Sequence, residues 1–260
     1  MNFFKKWKKL QILLLFAIFI LPANVFAYSK YIIPGGETIG IEVNSNGVYV
    51  VGFYDVNGEN IGKDAGFKVG DKIIAINNEK ITSISSMIDK INQEAGSTTL
   101  EVTVEREDKT SDLALKMKCD SENVCKTGLY VKDEITGIGT LTYIDPNTKI
   151  FGALGHEIME KTTGEKFEIK DGKIFKADVT NTTRSSNGSP GEKNATYDKN
   201  VVFGKITANE KVGIFGKYQD TFASTNTLEV AEEKEVTTGE ATIRTVLKDN
   251  EVKEYAINII

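Results

Sequence analysis

Asp64-Ala65-Gly66-Phe67-Lys68-Val69-Gly70-Asp71-Lys72-Ile73-Ile74-Ala75-Ile76-Asn77 carries the densest structural signal in the chain. Gly66 and Gly70 punctuate a short turn of helix. Ile73, Ile74 and Ile76 then read as a strand, and Asn77-Asn78 turns the chain again. Upstream, Ile39–Val43 and Val48–Phe53 are two short β-type runs, and Asn44-Ser45-Asn46-Gly47 between them has turn chemistry. Downstream, Ser85–Gln93 places Met87, Ile88 and Ile91 on one helical face, with Ser85 as the predicted N-cap. Leu100, Val102 and Val104 alternate with Glu101, Thr103 and Glu105, the pattern of a half-buried strand. Residues 31–117 are thus predicted to fold as one mixed α+β unit.

The texture changes beyond it. Residues 119–127 are polar and read as a linker. They hold Cys119 and Cys125, the only cysteines, as either a disulfide or two free thiols. From Gly128 onward, short β runs alternate with Gly- and Asn-rich turns: 128–131, 137–143, 149–154, 201–206, 212–218, 240–247 and 254–260. Helical periodicity is nearly absent, so an all-β barrel or sandwich is predicted over residues 126–260.

At the other end, residues 1–27 read as an export signal or N-terminal membrane segment. Lys5, Lys6, Lys8 and Lys9 precede an apolar run, Ile12 to Leu21, and Val25 and Ala27 place small residues before Tyr28. Cleavage there would remove four lysines and Trp7, the single tryptophan, and take the formal charge from −5 to −9. Such an acidic chain is no general nucleic-acid binder. The single histidine, His156, excludes zinc sites that need two. It follows a β run, in Phe151-Gly152-Ala153-Leu154-Gly155-His156, where an imidazole beside glycines suits a general base near neutral pH or a structural turn cap.

Ala65 to Asn77 carries the Ala-Gly-x-x-x-Gly-Asp-x-Ile-x-x-Ile-Asn pattern, and residues 31–117 resemble a PDZ domain of the bacterial protease-associated type. That resemblance implies a groove in which a peptide adds as a strand. Thr38-Ile39-Gly40-Ile41 would be its carboxylate-binding loop, Ile41–Val43 its strand and Ser85–Gln93 its helical wall. Ile39, Gly40, Ile41 and Val43 are the peptide-binding residues this implies, and the partner is a peptide or protein C-terminus.

Over nearly its whole length the chain also resembles the SpoIVB-type serine peptidases of endospore-forming bacteria. The resemblance rests on Ile33-Pro34-Gly35-Gly36, Gly137 to Thr142, Phe151 to His156, Gly188 to Lys193, Gly213 to Gly216 and Tyr255-Ala256-Ile257. It implies a PDZ domain followed by a chymotrypsin-like β-barrel peptidase, with His156 as the general base and no metal or organic cofactor. It implies export to the forespore intermembrane space, self-cleavage, and cleavage of a membrane-bound regulator that triggers a late sigma factor.

The family's nucleophile, in Gly-x-Ser-Gly-Ser-Pro, and its acid have no match in this chain, which reads as an incomplete, C-terminally truncated peptidase domain. Ser186-Asn187-Gly188-Ser189-Pro190 does not substitute, because Asn187 stands where the serine belongs, and nothing marks Asp171 or Asp178 as the acid. The alternatives are a non-catalytic PDZ peptide-binding module and a periplasmic stress-protease adaptor.

Overall fold

In the computed structural model, which describes residues 29–122, 124–248 and 250–260, a short strand β1 (Tyr31–Pro34) leads into a 16-residue strand, β2 (Thr38–Phe53). The export-signal segment 1–27, Trp7 and Tyr28 lie outside the described residues. The sequence predicts two strands and a turn where β2 runs. The structure has one strand with a bulge. Asn44 pairs with Glu134 and Tyr49 with Lys132 of the same neighbour, so four residues oppose Asp133 alone. Two local features accommodate them. Buried Ser45 donates its hydroxyl to the Gly47 carbonyl at 2.5 Å. Gly47 has φ 146°, and a Cβ there would sit 3.0 Å from the Ile73 carbonyl oxygen.

After β2 come α1 (Ile61–Asp64), β3 (Lys72–Ile76), β4 (Glu79–Lys80), α2 (Ile84–Gln93), β5 (Thr99–Arg106) and β6 (Lys109–Lys116). The polar 119–127 stretch is a small hairpin, β7 (Lys118–Cys119) with β8 (Cys125–Lys126), closed by a Cys119–Cys125 disulfide. Then follow β9 (Leu129–Ile144), β10 (Ile150–Ala153), β11 (Met159–Glu160), β12 (Glu165–Lys166), β13 (Asp171–Thr183), β14 (Glu192–Glu210), β15 (Gly213–Tyr218), β16 (Leu228–Glu229), β17 (Gly239–Val246) and β18 (Val252–Ile259). The sequence reading names neither β13 nor the first half of β14; the outer half of β13 and the first half of β14 form a polar arm with little apolar alternation, although Ile174, Phe175 and Ala177 at the start of β13 are buried.

Six antiparallel strands close a barrel in the cyclic order β2, β9, β10, β15, β14, β13 and back to β2. Closure uses both edges of β2. Asp171–Lys176 of β13 pairs with Asn44–Ile39 on one side, and β9 pairs along the other. Alternation then sorts the side chains of β2. Ile39, Ile41, Val43 and Tyr49 point into the barrel core with Leu141, Phe151, Ile174 and Ile214. Val48 and Val50 point the other way, into a second core with Ile73, Met87, Leu100 and Val104. That second core is the α+β unit, in which β9, β2, β3, β5 and β6 form a sheet under α2. One strand therefore serves both units.

Among the described residues, hairpin β17–β18 pairs only with itself. It is tied to the barrel by Arg244 Nε donating to the Gly35 carbonyl (3.1 Å), Lys193 Nζ donating to Thr245 Oγ1 (2.9 Å) and the Val179 amide donating to Asn250 Oδ1 (2.6 Å).

Candidate active site

His156 is thrown clear of the barrel by two successive left-handed residues after β10, Leu154 (φ 72°) and Gly155 (φ 79°). Glycine takes that conformation freely. Leucine does so at a cost, which marks the turn as specified by its surroundings. The Leu154 amide donates to the Thr140 carbonyl (3.1 Å), and its side chain fills the space above Gly139, where a Cβ would lie 2.4 Å from Leu154 Cδ2. The imidazole is exposed at the rim of an apolar depression of about 430 Å³ that includes Ile41, Ile135, Ile138, Leu154 and Met159. Nδ1 lies 2.9 Å from the Glu157 carbonyl oxygen. A carbonyl oxygen can only accept, so the neutral ring carries its proton on Nδ1 and leaves Nε2 as the basic nitrogen, the tautomer a general base requires.

Two residues that the sequence reading missed hold this loop. Asn209 is buried at 4% exposure. Its Oδ1 accepts from the Ile158 amide (2.8 Å), and its Nδ2 donates to the Ile158 and Phe167 carbonyls (both 2.9 Å). Glu160, at 2% exposure, accepts from the amides of Thr162 (2.7 Å) and Thr163 (2.9 Å) and pairs with Lys132 at 3.5 Å. Only their nearness to His156 in the chain, for Glu160, hinted at a role.

Asn209→Leu is expected to cost about 2–3 kcal/mol, because it leaves the Ile158 amide and the Phe167 carbonyl without their partner, while the Ile158 carbonyl keeps the Phe167 amide. Hydrogen exchange should show residues 156–159 opening more readily in that variant.

Burial alone would raise the Glu160 carboxyl, but the Thr163 and Thr162 donors and Lys132 outweigh it and hold the group below the usual carboxylate range. A depressed folded-state value gives stability that is complete above the ordinary carboxylate pKa and lost as pH falls through the lower one. The thermal midpoint of the protein should therefore fall below about pH 4, and Glu160→Gln should flatten that acid limb.

The groove residues implied by the sequence are dispersed. Ile39 and Val43 are fully buried in the barrel core, and Ile41 forms part of the floor beside His156. Gly40 faces the opposite side, under the ring of Phe175. With both edges of the strand paired, no peptide can add at Ile39–Val43. The open edge beside the helix belongs instead to β9. Among the described residues, 129–132 pair with β2 on one side only, and across from the other lies α2. Met87, Ile88, Ile91, Val131, Val124 and Cys125 line a groove of about 640 Å³ between them. The N-cap of α2 is Ser83 rather than Ser85: Ser83 Oγ accepts from the Ser86 amide and Ser86 Oγ from the Ser83 amide, while the Ile84 amide donates to Asp133 Oδ2 (2.7 Å).

Ser186 and Ser189 exchange backbone hydrogen bonds of 2.9 Å at the exposed tip of the β13–β14 arm. Asp171 accepts from Asn44 Nδ2 (2.8 Å), and Asp178 faces Lys176 at 3.4 Å. None of these four lines the His156 depression.

Residues 123–260 match the SpoIVB peptidase S55 family, more than half of the chain. The chain belongs to the SpoIVB peptidase S55 family. Residues 38–117 match the PDZ domain family. This S55 chain is thus mainly β, a PDZ domain followed by a β peptidase domain, with a peptidase-related function and a PDZ domain that supports peptide or protein binding. No curated protein matches it. Among solved structures, the PDZ domain of an SdrC-like protein from Listeria monocytogenes is similar at 22% identity, covering 34% of this chain and 90% of its own, with a TM-score of 0.29.

Proposed function

We propose that this chain provides the general base, His156, of a serine endopeptidase and engages its protein substrate as an extended strand in the groove between α2 and β9. The observation that carries the reading is an exposed imidazole, with Nδ1 held by a carbonyl, at the edge of an apolar depression. An imidazole so held takes the hydroxyl proton as serine attacks a peptide carbonyl. Among the described residues no serine, threonine or cysteine lines that depression, so in this reading the nucleophile arrives on a segment packed against the His156 face.

The substrate is a membrane-bound regulatory protein, and the chain itself is a second substrate. The site of action is outside the cytoplasmic membrane, in the forespore intermembrane space, and the outcome is late sigma factor activation. These steps rest on the family resemblance. In a sporulating host, His156→Ala is expected to abolish self-processing while leaving the protein folded. Normal processing of the His156→Ala protein would show the base assignment to be wrong.

The missing hydroxyl favours one second reading, a non-catalytic peptide-binding module. A fluorophosphonate probe separates the two: a labelled serine that depends on His156 supports the peptidase, and its absence under processing conditions supports the module.

A further inference from the structure

The barrel holds a second cavity, away from the catalytic face. On β10, Ala153 leads to His156, whereas Ile150 pairs with Lys217 beside Tyr218. The cavity at the Tyr218 end is about 260 Å³, smaller than most small-molecule pockets and close to the bulk of one long side chain. Its walls are apolar, with Ile33, Leu141, Ile144 and Phe203 among them, and its polar groups include Glu37, Tyr218 and Asp220.

Two of these groups are left without partners. Glu37 Oε2 is buried and has no hydrogen bond. Tyr218 is 7% exposed, and among the described residues its hydroxyl has no hydrogen-bond partner. Neither Glu37 nor Asp220 forms an ion pair with a cation of the chain among the described residues. A buried carboxylate oxygen left unanswered is costly unless something completes it, and the Tyr218 hydroxyl beside it is reached by solvent. Burial, with Asp220 and Glu37 adding to it, pushes the Tyr218 phenol up to about 12, so it stays neutral and keeps an acceptor lone pair.

We propose that this cavity binds one lysine or arginine side chain of a partner polypeptide. The methylene stem lies against Ile33, Leu141 and Ile144, and the cationic end meets Glu37 and Asp220, with the Tyr218 oxygen accepting one N–H. The faces of Phe203 and Tyr218, whose centroids are 6.4 Å apart, suit a cation as well. None of its lining residues belongs to the His156 depression, so it holds a partner rather than acting on it, and it stands apart from the peptidase assignment.

Among the described residues, Lys149 is a competitor for the place. Lys149 Nζ sits 5.6 Å from the Phe222 ring centre, and Phe222 stacks on Tyr218 at 6.0 Å.

The test is an NMR titration of the whole protein with acetyl-Gly-Lys-Gly-amide, its arginine counterpart and its norleucine counterpart. Saturable shifts at the Gly35, Glu37 and Thr221 amides are expected with lysine or arginine. They should weaken roughly ten-fold or more with norleucine and in Glu37→Gln, the loss of one charge-assisted hydrogen bond. Should Glu37→Gln fail to fold, Asp220→Asn serves in its place. Equal shifts with norleucine, no shifts at all, or binding that survives the carboxamide change would overturn the proposal. So would binding seen only in Lys149→Ala, which would make the chain's own lysine the occupant.

Discussion

Gly40→Ala should unfold the barrel at a markedly lower temperature than the native protein. A Cβ at position 40 would lie 2.0 Å from Cε2 and 2.3 Å from Cδ2 of Phe175, a residue with no exposed surface. The ring is itself fully buried and packs on Tyr197 with centroids 5.4 Å apart, so making room for the methyl group means moving both rings. Gly40 and Phe175 are register partners on β2 and β13, the pair of strands that closes the ring. An aromatic ring laid over a cross-strand glycine is a packing unit, and one methyl group disrupts it. The expected cost is about 3 kcal/mol. For a chain of this size that is a fall in Tm of about 6–12 °C.

The second half of the test is rescue. Gly40→Ala combined with Phe175→Leu should lose less than the sum of the single changes, because the clash is removed with the ring. A carboxylate-binding role for Gly40 makes a different forecast: weaker peptide capture with an unchanged melting curve. Calorimetry of the four proteins decides between them.

Arg106→Ala should damage the PDZ unit more than Asp71→Ala does, although both remove the same ion pair. Asp71 has no exposed surface and receives Arg106 through two bonds, Nε to Oδ1 at 2.5 Å and Nη2 to Oδ2 at 2.7 Å. The Lys68 amide adds a third at 2.8 Å. Arg106 also donates to the Gly66 carbonyl (3.0 Å), and its side chain keeps 29% exposure. Removing arginine leaves a carboxylate sealed from water, at a cost of about 3–5 kcal/mol. Removing aspartate leaves a guanidinium that can still hydrate, so the expected cost lies near the low end, about 3 kcal/mol. Urea denaturation of the two variants measures the difference, and a larger loss in Asp71→Ala would contradict this account. Asp71 sits in the motif that reads most clearly from the sequence. The motif announces the fold, and the pair with Arg106 on β5 explains why an aspartate follows Gly70.

Much of the site was within reach of the sequence, and some was not. His156 stood out as the single imidazole beside Gly155. The left-handed Leu154 that aims it has no sequence signature, since leucine gives no sign of a positive φ. Asn209 and Glu160 looked like ordinary strand and loop polars. Their role comes from partners brought close by folding, up to 51 positions away for Asn209 and Ile158. The polar arm of β13 and β14 hides its strand character because both faces of its outer half meet water.

Local chemistry in the chain was enough for the PDZ motif, the helix face of Met87 and Ile91, the alternating strand at 100–104 and the β texture after Gly128. Each of these depends on spacing of two, three or four residues, which a linear reading contains. Folding alone decided which strand lies beside which. Ile39–Val43 reads identically whether its edges are free or paired, because alternation specifies faces and says nothing about neighbours. Long-range pairing with 134–140 and 171–176 turned that segment from an expected ligand strand into a stave shared by two cores. It left the open edge, and with it the groove, to the first residues of β9.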